Sequence, residues 1–240
     1  MTAPGRSFGA AAADYERGRP GYPADAVAWM VGASPLAVVA DVGAGTGKLT
    51  RALVAAGHGV IAVDPDPQML AALAAAVPEA GRVEGTAERL PLAAQSADAV
   101  VLGQAWHWVD VAEGSAEIAR VLRPGGTLGL VWNIRDESVP WVAELTKAMH
   151  GSAAERLLAG DGPRVGAPFP ALEERSWSWV RTMAVSDLQA MVRSRSYYLE
   201  ADAHRRAVID EAVLRIGSAV ARDGTIDLPY VTRAFRTTRP

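Results

Sequence analysis

The chain has 240 residues, half of them hydrophobic, with a formal net charge of −3 and no cysteine. That length suits one α/β domain with an elaborated cap and allows a sizeable core. The mildly acidic balance argues against a broad nucleic-acid footprint, and the lack of thiols excludes disulfides, cysteine nucleophiles and Cys-ligated zinc.

Residues 1–7 read as a loose tail and the Ala-rich Phe8 to Tyr15 as a helix. Arg19-Pro20-Gly21-Tyr22-Pro23 must interrupt it, because proline lacks an amide proton and restricts the residue before it. No basic leader with an apolar core and cleavage site follows the N terminus, and no run is apolar enough to span a bilayer, so the expectation is a soluble cytoplasmic protein. Ala24 to Val31 resumes a helical pattern. Leu36 to Ala40 is a short continuous apolar run, as expected of a strand buried on both faces.

Thr46 to Ala56 fits a helix stopped by Gly57, and Val60 to Val63 a second strand. Pro65-Asp66-Pro67 opens a helix over Gln68 to Val77. Arg82 to Glu84 is a weak strand, Ala97 to Leu102 a strong one, and Ala112 to Leu122 a helix stopped by Arg123-Pro124-Gly125-Gly126. Thr127 to Trp132 is another buried strand. The order β-α-β-α-β-β-α-β calls for a mostly parallel sheet with right-handed crossovers. Later, Trp141 to Leu158 reads as one helix, Gly160 to Pro170 as loop and Glu174 to Met183 as a strand. Ser186-Asp187 is placed to cap a helix running to about Tyr198; His204 to Val220 is a second helix and Thr225 to Arg236 a last strand. The expected architecture is a Rossmann-like, doubly wound, mostly parallel α/β sheet with an antiparallel C-terminal strand and a helical cap. It forms a single domain over 1–240 in three parts: an N-terminal segment (8–31), the parallel core (36–133), and C-terminal strands with a helical cap (134–240).

Asp41-Val42-Gly43-Ala44-Gly45-Thr46-Gly47-Lys48-Leu49 carries the chemistry. A phosphate-cradling P-loop needs a glycine where Val42 stands and a hydroxyl residue where Leu49 stands, so that match fails twice. A dinucleotide loop needs its last glycine one residue later, where Lys48 stands. What remains is Gly-x-Gly-x-Gly with an acid two residues before it. Its glycines allow close backbone approach, Asp41 supplies negative charge for an α-amino group, and Asp64 at the next strand end is placed to accept both ribose hydroxyls. These features point to S-adenosyl-L-methionine. The plainer alternative is a tight strand–helix turn with a helix-capping acid.

Residues 36 to 133 resemble the class I S-adenosylmethionine-dependent methyltransferases, in the branch containing the ubiquinone/menaquinone-biosynthesis and trans-aconitate methyltransferases. The pieces that carry the resemblance are Asp41 to Gly47, Val63-Asp64-Pro65, Gly85-Thr86-Ala87-Glu88-Arg89-Leu90-Pro91, and Glu117 to Gly126. The resemblance implies that Gly43, Ala44, Gly45, Thr46, Gly47, Asp64 and Pro65 hold the cofactor, that Met69 packs near adenine, and that Thr86 and Ala87 border its edge. Many relatives have Asp where Thr86 stands. Tyr15, Arg19, Pro20, Tyr22 and Pro23 match a segment that covers the cofactor in that branch, with Arg19 facing its carboxylate; a surface helix with a solvated Arg is the alternative. Beyond residue 133 the resemblance thins.

Gln104-Ala105-Trp106-His107-Trp108 follows a strand and should meet the cofactor, since ligands lie beyond the carboxyl ends of such strands. The Asn-Pro-Pro-aromatic run of many base and glutamine methylators is missing, and the segment resembles small-molecule methylators. His107 is the candidate general base for a protonated acceptor, or else a structural residue between two tryptophans. Trp106 and Trp108, with Tyr22, Trp141, Arg195 and Tyr197, are candidates for the acceptor site; core packing explains aromatic side chains equally well. His150 and His204 have no partners at metal-ligand spacing, so no metal is expected. The expected activity is methyl transfer to a small organic acceptor, an oxygen of a carboxylate or hydroxyl. The rivals are a cofactor-binding protein without transfer activity and a nicotinamide-dependent oxidoreductase. The oligomeric state stays open, and neither nucleic acid nor membrane is expected as a partner.

Overall fold

A computed structural model describes residues 20–32, 36–149, 153–193, 195–199 and 201–240. The expected tail and first helix, with Tyr15 and Arg19, lie outside the described residues, as does His150. Helix α1 (Ala24–Val31) leads to β1 (Val38–Val42), α2 (Lys48–Ala55), β2 (Gly59–Asp64), α3 (Pro67–Ala76), β3 (Gly81–Glu84), β4 (Ala97–Gly103), a 3-10 turn (Trp106–Trp108), α4 (Val111–Val121) and β5 (Leu122–Arg135). Then come α5 (Pro140–Met149), α6 (Ala153–Ala159), β6 (Glu173–Ala184), α7 (Val185–Arg193), the short α8 (Ser196–Leu199), α9 (Ala203–Val220) and β7 (Thr225–Thr238).

The strands form one seven-stranded sheet in the order β3-β2-β1-β4-β5-β7-β6. The pairs from β3 to β5 are parallel, and β7 runs antiparallel to both β5 and β6. This is the Rossmann-like arrangement with its chain reversal between β1 and β4. The apolar runs alternate between two cores, as a sheet covered on both faces requires. Val100, Leu102, Leu128, Leu130 and Trp132 face a core with Ile118 and Phe169. Ala99, Val101 and Val131 face another with Met30, Leu53 and Leu73. A Cβ on Gly129 would collide with Met30, so glycine there lets α1 settle on β5.

A third cluster makes the cap. Val142 and Leu145 of α5, Leu188 and Met191 of α7, and Val213 and Ile216 of α9 bury against Met183, Leu228 and Tyr230 of the β6–β7 hairpin. Because Arg135 at the end of β5 pairs with Tyr230, residues 225–229 of β7 run past the carboxyl tip of β5. The cap therefore stands at the strand-tip end of the sheet.

The stretch expected as helix over Trp141 to Leu158 carries α5 and α6, with residues 150–152 between them outside the described residues. Two expectations need correction. The helix expected from Ser186-Asp187 starts at Val185, directly off β6, and ends at Arg193, with Tyr198 in the separate α8. The helix ahead of Arg123-Pro124-Gly125-Gly126 ends at Val121, but the strand expected from Thr127 already begins at Leu122: Gly125 N–H donates to the Arg239 carbonyl and Arg239 N–H to the Gly126 carbonyl, so the bend is absorbed into β5.

Candidate functional site

The loop between β1 and α2 turns through three residues with positive φ: Gly43 at 70°, Gly45 at 55° and Gly47 at 88°. Side-chain-bearing residues rarely adopt that conformation, and space forbids one here as well. A Cβ on Gly43 would lie 2.7 Å from Ala105 Cβ, and one on Gly47 2.9 Å from Leu73 Cγ. The loop is thus wedged between the exit of β4 and helix α3.

Its amide protons are mostly committed inside the protein. Gly43 and Ala44 N–H donate to the Val63 carbonyl, and Gly47 N–H to the Ala44 carbonyl. Gly45 N–H donates to Asp64 Oδ2 at 2.8 Å. A pyrophosphate cradle works through free N–H groups. This loop has given those of residues 43, 44, 45 and 47 to its own framework, which suits a ligand that brings donors.

Two carboxylates supply the acceptors. Asp64, at the tip of β2, also takes the Asp66 N–H on Oδ1 at 2.9 Å. Each oxygen keeps acceptor capacity beyond its one backbone bond. Burial raises the Asp64 pKa, and the Asp66 and Gly45 N–H groups pull it back. Asp41 is fully buried beneath the loop. Thr50 Oγ1 donates to Asp41 Oδ2 at 2.6 Å, while Oδ1 has no hydrogen-bond partner among the described residues. Burial pushes the Asp41 carboxyl up to about 7; the Thr50 bond opposes this and the neighbouring Asp64 charge adds to it. An orphaned buried carboxylate oxygen beside a loop short of free donors fits the ammonium end of an adenosyl amino acid, directly or through water. Asp64, on the adjoining strand, fits a ribose diol.

Pro65 is half-buried and Met69 buried on α3, whose first turn Asp66 caps by accepting the Gln68 N–H. Thr46 is buried within the loop. Thr86 is exposed and Ala87 buried, in a tight turn closed between Thr86 and Arg89. That turn is held from α4. Glu117 accepts the Leu90 N–H, Arg120 donates to the Leu90 carbonyl, and the two side chains form an ion pair. Two of the family-like sequence pieces, 85–91 and 117–126, are in this way one structural unit.

Gln104 leaves β4 with φ of 58°, and its Nε2 donates to the Asn133 carbonyl. The Tyr22 ring lies over β4, where a Cβ on Gly103 would come 2.7 Å from Tyr22 Oη. Trp106 belongs to the core: it is 2% exposed and its Nε1 donates to the Arg164 carbonyl. That placement is the core-packing alternative of the two readings. His107 is half-buried with its ring 4.8 Å from that of Trp108, which is half exposed. Trp141 and Tyr197 each pack against the cap cluster, and Arg195 is buried. Among the described residues no group of His, Cys, Asp and Glu is arranged to hold a metal, and no helix is long and apolar enough to cross a membrane.

Sequence reasoning missed Thr50, one turn into α2 from the loop, and Asn133, a lone amide inside the apolar run of β5. The second left a signal, since a polar side chain in a strand buried on both faces needs a partner.

A family described as a methyltransferase domain matches residues 40–130. An uncharacterized methyltransferase of Mycobacterium tuberculosis (strain ATCC 25618 / H37Rv) is 44% identical over 235 residues, covering 97% of this chain and 95% of its own length. An uncharacterized methyltransferase of Schizosaccharomyces pombe is 32% identical over 242 residues, covering 96% of each chain. The solved structure of a candidate type II methyltransferase from Anaeromyxobacter dehalogenans shares the fold, with a TM-score of 0.68 at 24% identity over 92% of this chain and 97% of that one.

Proposed function

Because the chain belongs to the methyltransferase family, we propose that it takes the methyl group of S-adenosylmethionine and places it on an oxygen of a small organic acceptor, a carboxylate or a hydroxyl. The donor assignment rests on one observation. Asp64 and Asp41 offer acceptor oxygens at adjacent strand tips, around a loop whose N–H groups at residues 43, 44, 45 and 47 are already bonded. The same observation works against a nicotinamide dinucleotide, whose phosphates need the donors this loop lacks.

The sulfonium donor brings an already activated methyl group and a neutral leaving group. What remains for the protein is alignment and exclusion of water. In this reading Asp64 holds the ribose, Asp41 faces the amino group, and the close contact of Gly43 with Ala105 fixes the loop against the β4 exit. Pro65, Met69, Thr86 and Ala87 surround the adenine. An oxygen acceptor is favoured by His107, a half-buried imidazole just past the tip of β4 and suited to taking a hydroxyl proton near neutral pH. The half-exposed Trp108 beside it offers an apolar wall. Trp141, Arg195 and Tyr197 complete the acceptor side from the cap.

Calorimetric titration with S-adenosylhomocysteine tests the donor, and label transfer from methyl-labelled S-adenosylmethionine to a panel of small carboxylic acids and alcohols tests the acceptor class. Micromolar binding and a labelled ester or ether are expected. A wild-type protein that ignores S-adenosylhomocysteine but binds NADH would overturn the assignment.

A further inference from the structure

Asn133 is 4% exposed, and both polar atoms of its carboxamide are engaged. Thr232 Oγ1 donates to Oδ1 at 2.6 Å, and Nδ2 donates to the Gly21 carbonyl at 2.8 Å. The Gly21 carbonyl can only accept, so the amide nitrogen faces it and Oδ1 is left to accept from the Thr232 hydroxyl. Trp179 Nε1, which can only donate, donates to Thr232 Oγ1 at 2.8 Å, which leaves the Thr232 proton for Asn133. The Asn133 carbonyl meanwhile accepts from Gln104 Nε2 at 2.9 Å, steadying a residue whose φ of 58° is uncommon for a side chain of that size.

The partners come from separate parts of the molecule. Trp179 and Thr232 lie on the β6–β7 hairpin that carries the cap, and the ring of Trp179 stacks on Tyr230 of the cap cluster at 5.0 Å. Gln104 is the residue before Ala105, which touches the Gly43 turn. Gly21 belongs to the Pro20–Pro23 segment that lies across the tips of β4 and β5 on its way into α1, with Tyr22 over Gly103.

Resting on the donor assignment above, we propose that Asn133 is a positioning residue: its carboxamide fastens the Pro20–Pro23 segment to the cap hairpin, on the same residue whose backbone carbonyl holds Gln104 at the β4 exit, so that cofactor affinity depends on a side chain that does not itself touch the cofactor. Asparagine suits the task because the site needs an acceptor toward Thr232 and a donor toward Gly21 within one planar group. Aspartate has the same shape but would turn a carboxylate oxygen on the Gly21 carbonyl.

Asn133→Asp, Thr232→Val and Thr232→Ser are titrated with S-adenosylhomocysteine, and amide exchange is followed at Ala26 and Val27, whose N–H groups bond the Pro23 carbonyl. Asn133→Asp and Thr232→Val are expected to weaken binding about tenfold, the effect of one buried hydrogen bond, and to speed exchange at the start of α1 while β1 and β4 stay protected. Thr232→Ser, which keeps the hydroxyl, should behave as wild type. Asn133→Asp with unchanged affinity and unchanged α1 exchange overturns the proposal. If wild type does not bind at all, the donor assignment and the coupling fall together. If wild type binds and all three variants bind equally, only the coupling falls.

Discussion

Asp64 divides its oxygens between holding the loop and facing the cleft, so its removal acts twice. Asp64→Ala should weaken S-adenosylhomocysteine binding about a hundredfold or more, since hydrogen bonds to a charged group contribute about 1.5–3 kcal/mol each. Calorimetry reads this, and equal affinity would take Asp64 out of the site. Asp41 gives a prediction with a definite sign. Its carboxyl is raised from 3.8 to about 7 in the folded, ligand-free protein. Between those values the folded chain keeps a proton that the unfolded chain has released. The resulting stabilisation is complete below the lower value and is lost as pH rises through the upper one. Asp41→Asn, which is neutral throughout, should therefore gain on wild type in thermal midpoint between about pH 4 and about pH 7 and keep a constant lead above that. A constant gap across the lower range would show that Asp41 does not titrate there. The positions of both acids are legible in the sequence, because an acid at a strand tip beside a glycine turn has a recognisable spacing. That Asp41 is sealed under the loop by Thr50 is not legible, because burial depends on the neighbouring helix. The same limit applies to Trp106: a tryptophan beside a strand tip reads alike whether it lines a pocket or fills the core, and here the Arg164 carbonyl gives its Nε1 a partner inside.

At the scale of elements, β1, β2, β4 and β5 could be read because buried parallel strands are apolar runs set off by glycine and proline, whereas the exposed Gly81–Glu84 strand gave only a weak signal. At the junction of β6 with α7 that punctuation is missing. Met183-Ala184-Val185 passes from strand to helix with no loop between, so sequence places the helix start at the first capping residues instead. The Glu117–Arg120 pair shows how elements serve the site at a distance, since both side chains bond the backbone of Leu90. The Arg120 bond holds the Glu117 carboxyl below the usual range. Glu117→Ala should raise amide exchange across 85–91 and weaken S-adenosylhomocysteine a few-fold, about 1 kcal/mol for a lost bond of this kind. Unchanged exchange at Leu90 would refute the link. Gly43→Ala should fail more broadly. It adds a left-handed residue at a cost of about 1–2 kcal/mol, and a methyl where Ala105 already sits, so urea denaturation should show a drop of at least that size.

For the molecule as a whole, the cap is tied to the cofactor half through the sheet itself, because β7 pairs with β5 along its length. Leu188→Ala in the cap core should cost about 2–5 kcal/mol and lower one shared unfolding transition. Two separated transitions, seen by calorimetry, would mean that the cap folds as an independent unit. No apolar repeat marks the cap in the sequence as a layer of its own, since its cluster draws side chains from three helices and two strands scattered over residues 142 to 230.

The strand order also has a consequence in time. Strand β6 is made well before β7, yet among the described residues β7 is its only partner in the sheet. Until β7 threads between β5 and β6, two long rows of backbone groups stand open to any passing chain. Such late, long-range pairing is slow to form. The interval before it closes is when a nascent copy of this chain is most exposed to clipping, to mispairing with its neighbours, or to capture by a chaperone.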